Sequence, residues 1–182
     1  KNRTIFKKKS ERMGCMGQPN ISESEYYSIK LAEGEMFEDY VYDHFKNIWK
    51  IDIKGCNTYS EQINVGENYF GMEIKYDGLH KNTGRLFIEY QEKRRSKNPN
   101  YVPSGILRDD NSWLYLIGNF QVFYIFSVKD LRMALEIKDE QGNFKHIRKE
   151  IARETSCGFL LQQNEIQDYV LRVIRTGNEI HS

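Results

Sequence analysis

Apolar side chains recur along residues 22–49 at Tyr27, Leu31, Phe37, Val41, Phe45 and Ile48, roughly one helical turn apart, and Ser22 or Ser24 stands where an N-cap is needed. The spacing predicts a long amphipathic helix, with Gly34 as the point where it can divide in two. Ile51 to Lys54 and Ile63 to Val65 are short strand candidates, separated by loop residues such as Gly55 and Asn57. The period then changes to two. In Gly71 to Lys93, GMEIKYDGLHKNTGRLFIEYQEK, the residues Met72, Ile74 and Tyr76 alternate with Glu73, Lys75 and Asp77, and Leu86, Ile88 and Tyr90 alternate with Phe87, Glu89 and Gln91. Asn82, Thr83 and Gly84 supply turn chemistry between the two runs, so they are expected to pair as a hairpin that carries its acids on one shared face.

QEKRRSKNPNYVPSGILRDD follows, polar and basic with two prolines, and reads as a loop. WLYLIGNFQVFYIFSV is dense in aromatic and branched residues and is interrupted at Gly118 and Asn119, which predicts two buried strands meeting at a tight turn. Lys129 to Ile137 reads as a helix that covers the sheet with Leu131, Met133, Ala134 and Ile137. Phe159 to Leu161 reads as a late strand, and Glu165 to Ile174 as a closing helix. This order predicts an α/β fold with a central mixed sheet flanked by helices. The strict alternation of strand and helix in a doubly wound nucleotide-binding fold is missing, and so is a Gly-rich phosphate loop.

Composition narrows the picture. With 182 residues, 39% hydrophobic and 13% aromatic, the chain is expected to form one globular domain over 1–182, preceded by a basic leader to about Asn20 that is either a solvated, mobile tail or a polyanion contact. The net charge is only +1, so a nucleic-acid surface has to come from local segregation of charge. Cys15, Cys56 and Cys157 are odd in number and lack CxxC spacing, which favours reduced thiols. No apolar run approaches the about 18 residues that cross a membrane. A soluble, cytoplasmic protein is expected.

The acids on the expected hairpin bear on chemistry. Like charges facing each other across strands destabilise by about 0.2 to 1 kcal/mol per pair, so three carboxylates beside a lysine suggest a cation among them. The same residues can equally form an exposed ladder of Glu73, Lys75 and Glu89, and Asp77 before Gly78 is an ordinary turn residue. His44, His80, His146 and His181 have no metal-ligand spacing.

Asp77, followed after a turn by Glu89, Tyr90 and Gln91 in an apolar strand, resembles the PD-(D/E)XK nucleases of the restriction endonuclease-like fold, with phage-type members nearest in pattern. The likeness extends to the preceding helix with Glu35 and Glu38, to Ser104–Ile106, and to the DNSWLYLIGN run. It implies a Mg²⁺-dependent endonuclease, with Mn²⁺ as a substitute, that hydrolyses DNA phosphodiester bonds through a metal-activated water. Asp77 and Glu89 would be the central metal ligands, with Glu73 as a third acid and Glu38 as an outer or second-metal candidate. Gln91 stands where the family has lysine; its amide can hold a water but supplies no charge, and Lys75, on the same expected face as Asp77, can take that role. A competing register treats Glu73-Ile74-Lys75 as the (D/E)XK element, with Asp52 as the upstream acid.

Lys93, Arg94, Arg95 and Lys97, then Ser104 and Arg108, leave the catalytic strand directly and are the candidate phosphate contacts. Cutting both strands of a duplex would suit a two-fold homodimer, although no surface pattern marks an interface. The other reading is a nuclease-fold module that binds nucleic acid without turnover, for which Gln91 is the main argument.

Overall fold

The computed structural model describes residues 22–53, 68–151 and 154–176, with isolated positions 55, 58, 60, 61 and 64 between them. The basic leader and most of the strand candidate at 63–65 lie outside the described residues. The first element is a single helix, α1 (Glu23–His44), capped by the Ser22 hydroxyl, which accepts a hydrogen bond from the Glu25 amide at 3.2 Å. Gly34 does not interrupt it. A π-helical turn, Phe45–Trp49, extends α1 and ends where Lys50 adopts a left-handed conformation, φ 58°. The chain from Ile51 to Ile53 forms no strand; Ile53 plugs the core beneath α1 instead.

Two four-stranded sheets follow. The first is mixed, in the order β1 (Met72–Tyr76), β4 (Leu114–Gly118), β5 (Val122–Ser127), β8 (Val170–Arg175), with β1 parallel to β4 and the other pairs antiparallel. The second is antiparallel, in the order β3 (Val102–Pro103), β2 (Leu86–Glu92), β7 (Ser156–Leu161), β6 (Ile147–Glu150). Three short helices complete the set: α2 (His80–Thr83), α3 (Val128–Glu136) and α4 (Gln163–Tyr169).

The mixed sheet is covered on both faces, which explains the nearly unbroken apolar runs of β4 and β5. On one face, Met72, Ile74, Leu116, Phe123 and Ile125 pack against Phe37, Val41 and Phe45 of α1. On the other, Tyr115, Ile117, Tyr124 and Phe126 meet Leu86, Ile88, Phe159 and Leu161 of the second sheet, with Leu131 and Ala134 of α3 closing the side. Burial of this kind contributes about 25 cal/mol per Å² of apolar surface, so the layered core supplies most of the drive to fold. Among the described residues, no helix is long and apolar enough to cross a membrane.

Three expectations change. β1 and β2 do not pair as a hairpin: residues 77–85 exceed the about two to five residues that hairpin loops use, and with α2 they carry the chain from one sheet into the other. The expected helix over Glu165 to Ile174 stops at Tyr169, and β8 takes over, because Val170, Val173 and Ile174 are β-branched and β5 offers a free edge. Met133 of α3 points outward with 60% exposure, while Leu131, Ala134 and Leu135 cover the core.

Candidate functional site

The N-terminal half of α1, the end of β1 and the middle of β2 enclose a cleft of about 640 Å³. Asp77 and Glu89 line it, although they belong to different sheets, and Glu35 and Glu38 face them from α1. Lys75, Tyr115 and Phe87 line it as well. The resemblance therefore placed Asp77, Glu89, Lys75 and Glu38 around one space, by a route other than a hairpin face.

Asp77 sits where β1 ends. Its Oδ1 accepts from the amides of Leu79 and His80, both at 3.0 Å, and its Oδ2 accepts from the Phe87 amide at 3.1 Å. The first two bonds start the α2 turn, and the third ties the end of β1 to the start of β2. Glu89 is held from two sides: Oε1 accepts from the Ser104 hydroxyl at 2.5 Å and Oε2 from the Ser156 hydroxyl at 2.6 Å. Ser104 reaches it because Gly105 has φ +50° and lies so close to β2 that a Cβ there would stand 2.3 Å from the Glu89 carbonyl oxygen.

Glu73 is fully buried and is not among the cleft-lining residues. Its Oε1 lies 3.0 Å from Lys75 Nζ and 3.9 Å from an Arg108 guanidinium nitrogen. The side chain offered as a third metal ligand is thus the partner of two cations, and Arg108, expected to touch a phosphate, turns inward to it. Asp52 of the competing register is exposed and lies apart from the cleft. Gln91 also lies outside the cleft lining. A β-bulge between Glu89 and Gln91 shifts the register with β7, and beyond it Gln91 pairs with Pro103 and Cys157.

Of the expected phosphate contacts, Arg94, Arg95 and Lys97 are exposed on the β2–β3 connection. Lys93 lies over the Tyr101 ring, 4.2 Å from its centroid. Ser104 is fully buried, so it cannot meet a phosphate; its hydroxyl positions Glu89 instead.

Among the described residues, no three His, Cys, Asp or Glu side chains gather closely enough to form an all-protein metal cage. Magnesium asks for less: it is commonly held by one or two carboxylates, with waters and substrate phosphates completing the octahedron. The two central acids meet that lower demand. A carboxylate offers about four lone-pair positions; three are used on Asp77 and two on Glu89, which leaves acceptor capacity on Asp77 Oδ2 and on both Glu89 oxygens.

Two site residues escaped sequence reasoning. Ser156 is a lone serine before a strand and gives no local signal. Tyr115 was read only as core; its signal was a single phenol in an otherwise aliphatic strand, on the same face as Ile117. No protein-family model, curated protein or solved structure matches the chain.

Proposed function

We propose that this protein is a divalent-metal-dependent nuclease acting on DNA, with Asp77 and Glu89 as the metal-holding pair. The observation that carries the reading is their convergence: two acids twelve residues apart in sequence, one from each sheet, line the same cleft, with Glu38 opposite and a lysine between. Five carboxylates against two ammonium groups make the cleft acidic, an unsuitable surface for a phosphodiester unless cations intervene.

When bound, a magnesium ion lowers the pKa of a coordinated water and offsets charge on the phosphoryl group. The chain's own residues do the rest. The α2 turn and the Ser104–Ser156 pair fix the two carboxylates before any ligand arrives, so little reorganisation is needed on binding. Lys75, with 31% side-chain exposure and its ammonium beside buried Glu73, is the cation available to orient a water or a phosphoryl oxygen, in place of the family's lysine. Arg94, Arg95 and Lys97 can neutralise phosphates along the adjoining backbone.

A second reading, a binding module without turnover, is favoured by Gln91, which stands at the usual lysine position and lies outside the cleft. Cleavage of supercoiled plasmid, short duplex and single-stranded DNA with Mg²⁺, Mn²⁺ or EDTA separates the two. Metal-dependent products from the wild type that vanish in Asp77→Ala and Glu89→Ala are expected; intact DNA with a folded, DNA-binding protein would transfer the assignment to the binding module.

A further inference from the structure

Tyr115 is fully buried on β4, directly opposite Glu73 of β1, and its phenol ends at the wall of the cleft. The hydroxyl approaches the Glu89 main chain but completes no hydrogen bond. A buried phenol normally finds a partner, and one left without costs about 1 to 3 kcal/mol. The neighbouring carboxylates do not supply it: Glu89 is engaged by Ser104 and Ser156, and Glu73 by Lys75 and Arg108. Burial, then the charges of Glu73 and Glu89, push the phenol pKa well above its ordinary value, so at neutral pH the group keeps its proton and donates. A bound cation cannot be its direct partner, since a protonated phenol presents its hydrogen. An acceptor in the cleft can.

We infer that Tyr115 and Lys75 form the phosphoryl-oxygen subsite of this cleft, the phenol donating to one oxygen of a phosphate in bound DNA. The inference rests on the nucleic-acid reading above and adds to it the donor side of an otherwise acidic site. Lys75 lines the same cleft, two residues along β1 from Glu73, so its ammonium and the phenol stand on one sheet face. Together they supply one charge-bearing and one neutral donor to the same class of ligand.

Tyr115→Phe removes only the oxygen and keeps the ring in the core. Because the hydroxyl has no partner in the free protein, the variant should melt at or above the wild-type temperature, while its affinity for a labelled short duplex, measured with Ca²⁺ to suppress cleavage, should weaken roughly tenfold. A purely structural tyrosine, or one satisfied by a buried water, would lower the melting temperature and leave the affinity of the folded protein unchanged; that result overturns the subsite. Asp77→Asn is run beside it. Loss of cleavage in Asp77→Asn with full affinity in Tyr115→Phe would keep the nuclease reading and remove the subsite. A wild type that binds but never cuts, with weaker binding in Tyr115→Phe, would keep the subsite and remove the nuclease. A wild type that binds no DNA removes both.

Discussion

Asp77 accepts main-chain hydrogen bonds from Leu79, His80 and Phe87, so its carboxylate shapes the fold as well as lining the cleft. The two roles can be separated. Asp77→Ala leaves three amides unpaired and should lower stability by about 1 to 2 kcal/mol. Asp77→Asn keeps an oxygen for Leu79 and His80 and should lose less than half as much, while both variants lose metal-dependent cleavage. Urea unfolding beside Mn²⁺ titration tests this, and equal destabilisation by Ala and Asn would refute the capping role. At this scale the sequence was informative about identity and silent about partners. Asp77 and Glu89 stood out by motif, yet nothing local announced that Ser156, sixty-seven residues beyond Glu89, would hold it.

At the scale of elements, periodicity located α1 well and misjudged its buried face. Of the six apolar positions at helical spacing, Phe37, Val41 and Phe45 are buried, whereas Tyr27, Leu31 and Ile48 are 66%, 51% and 52% exposed. The sheet underlies only the second half of the helix. The first half extends over the cleft, which is how Glu35 and Glu38 come to face Asp77. Gly34 lies in this overhanging half, and a methyl added there would meet nothing within 4 Å. Gly34→Ala should therefore stabilise the protein by about 0.5 to 1 kcal/mol, through helix propensity and a less flexible unfolded chain. Thermal melting checks it, and a fall in stability would show that the helix meets something at this position. The hairpin failed at the same scale, because alternation reports which residues share a face of one strand and not which strand lies beside it.

Considered as a whole molecule, the protein buries one titratable group far from the cleft. His146 is 3% exposed, packed on Phe159, with Nδ1 3.4 Å from Glu165 Oε1 and Nε2 3.4 Å from the Tyr169 hydroxyl. Burial lowers its pKa below the ordinary 6.5, and this outweighs the opposing pull of Glu165. The unfolded chain then binds the proton more readily than the folded one, so stability is intact above about pH 6.5 and declines as pH falls from there toward the folded-state pKa. Melting temperature should drop on acidification below neutrality, and His146→Gln should flatten that drop. An unchanged pH profile in the variant would place the acid sensitivity elsewhere.

The amino-acid sequence by itself determined the α/β class, the long first helix, the β4–β5 pair and the identity of the two central acids. Each of these follows from short-range periodicity, turn chemistry or a local motif. Only the tertiary structure decided that β1 joins β4 while β2 joins β7, that Glu73 is withdrawn into an ion pair, and that a bulge separates Gln91 from the cleft. Strand partnership and burial arise from contacts between distant residues, whose free energies depend on what lies opposite. For that reason the acids of the site were legible one at a time, while the cleft they enclose appears only once two sheets and a helix meet.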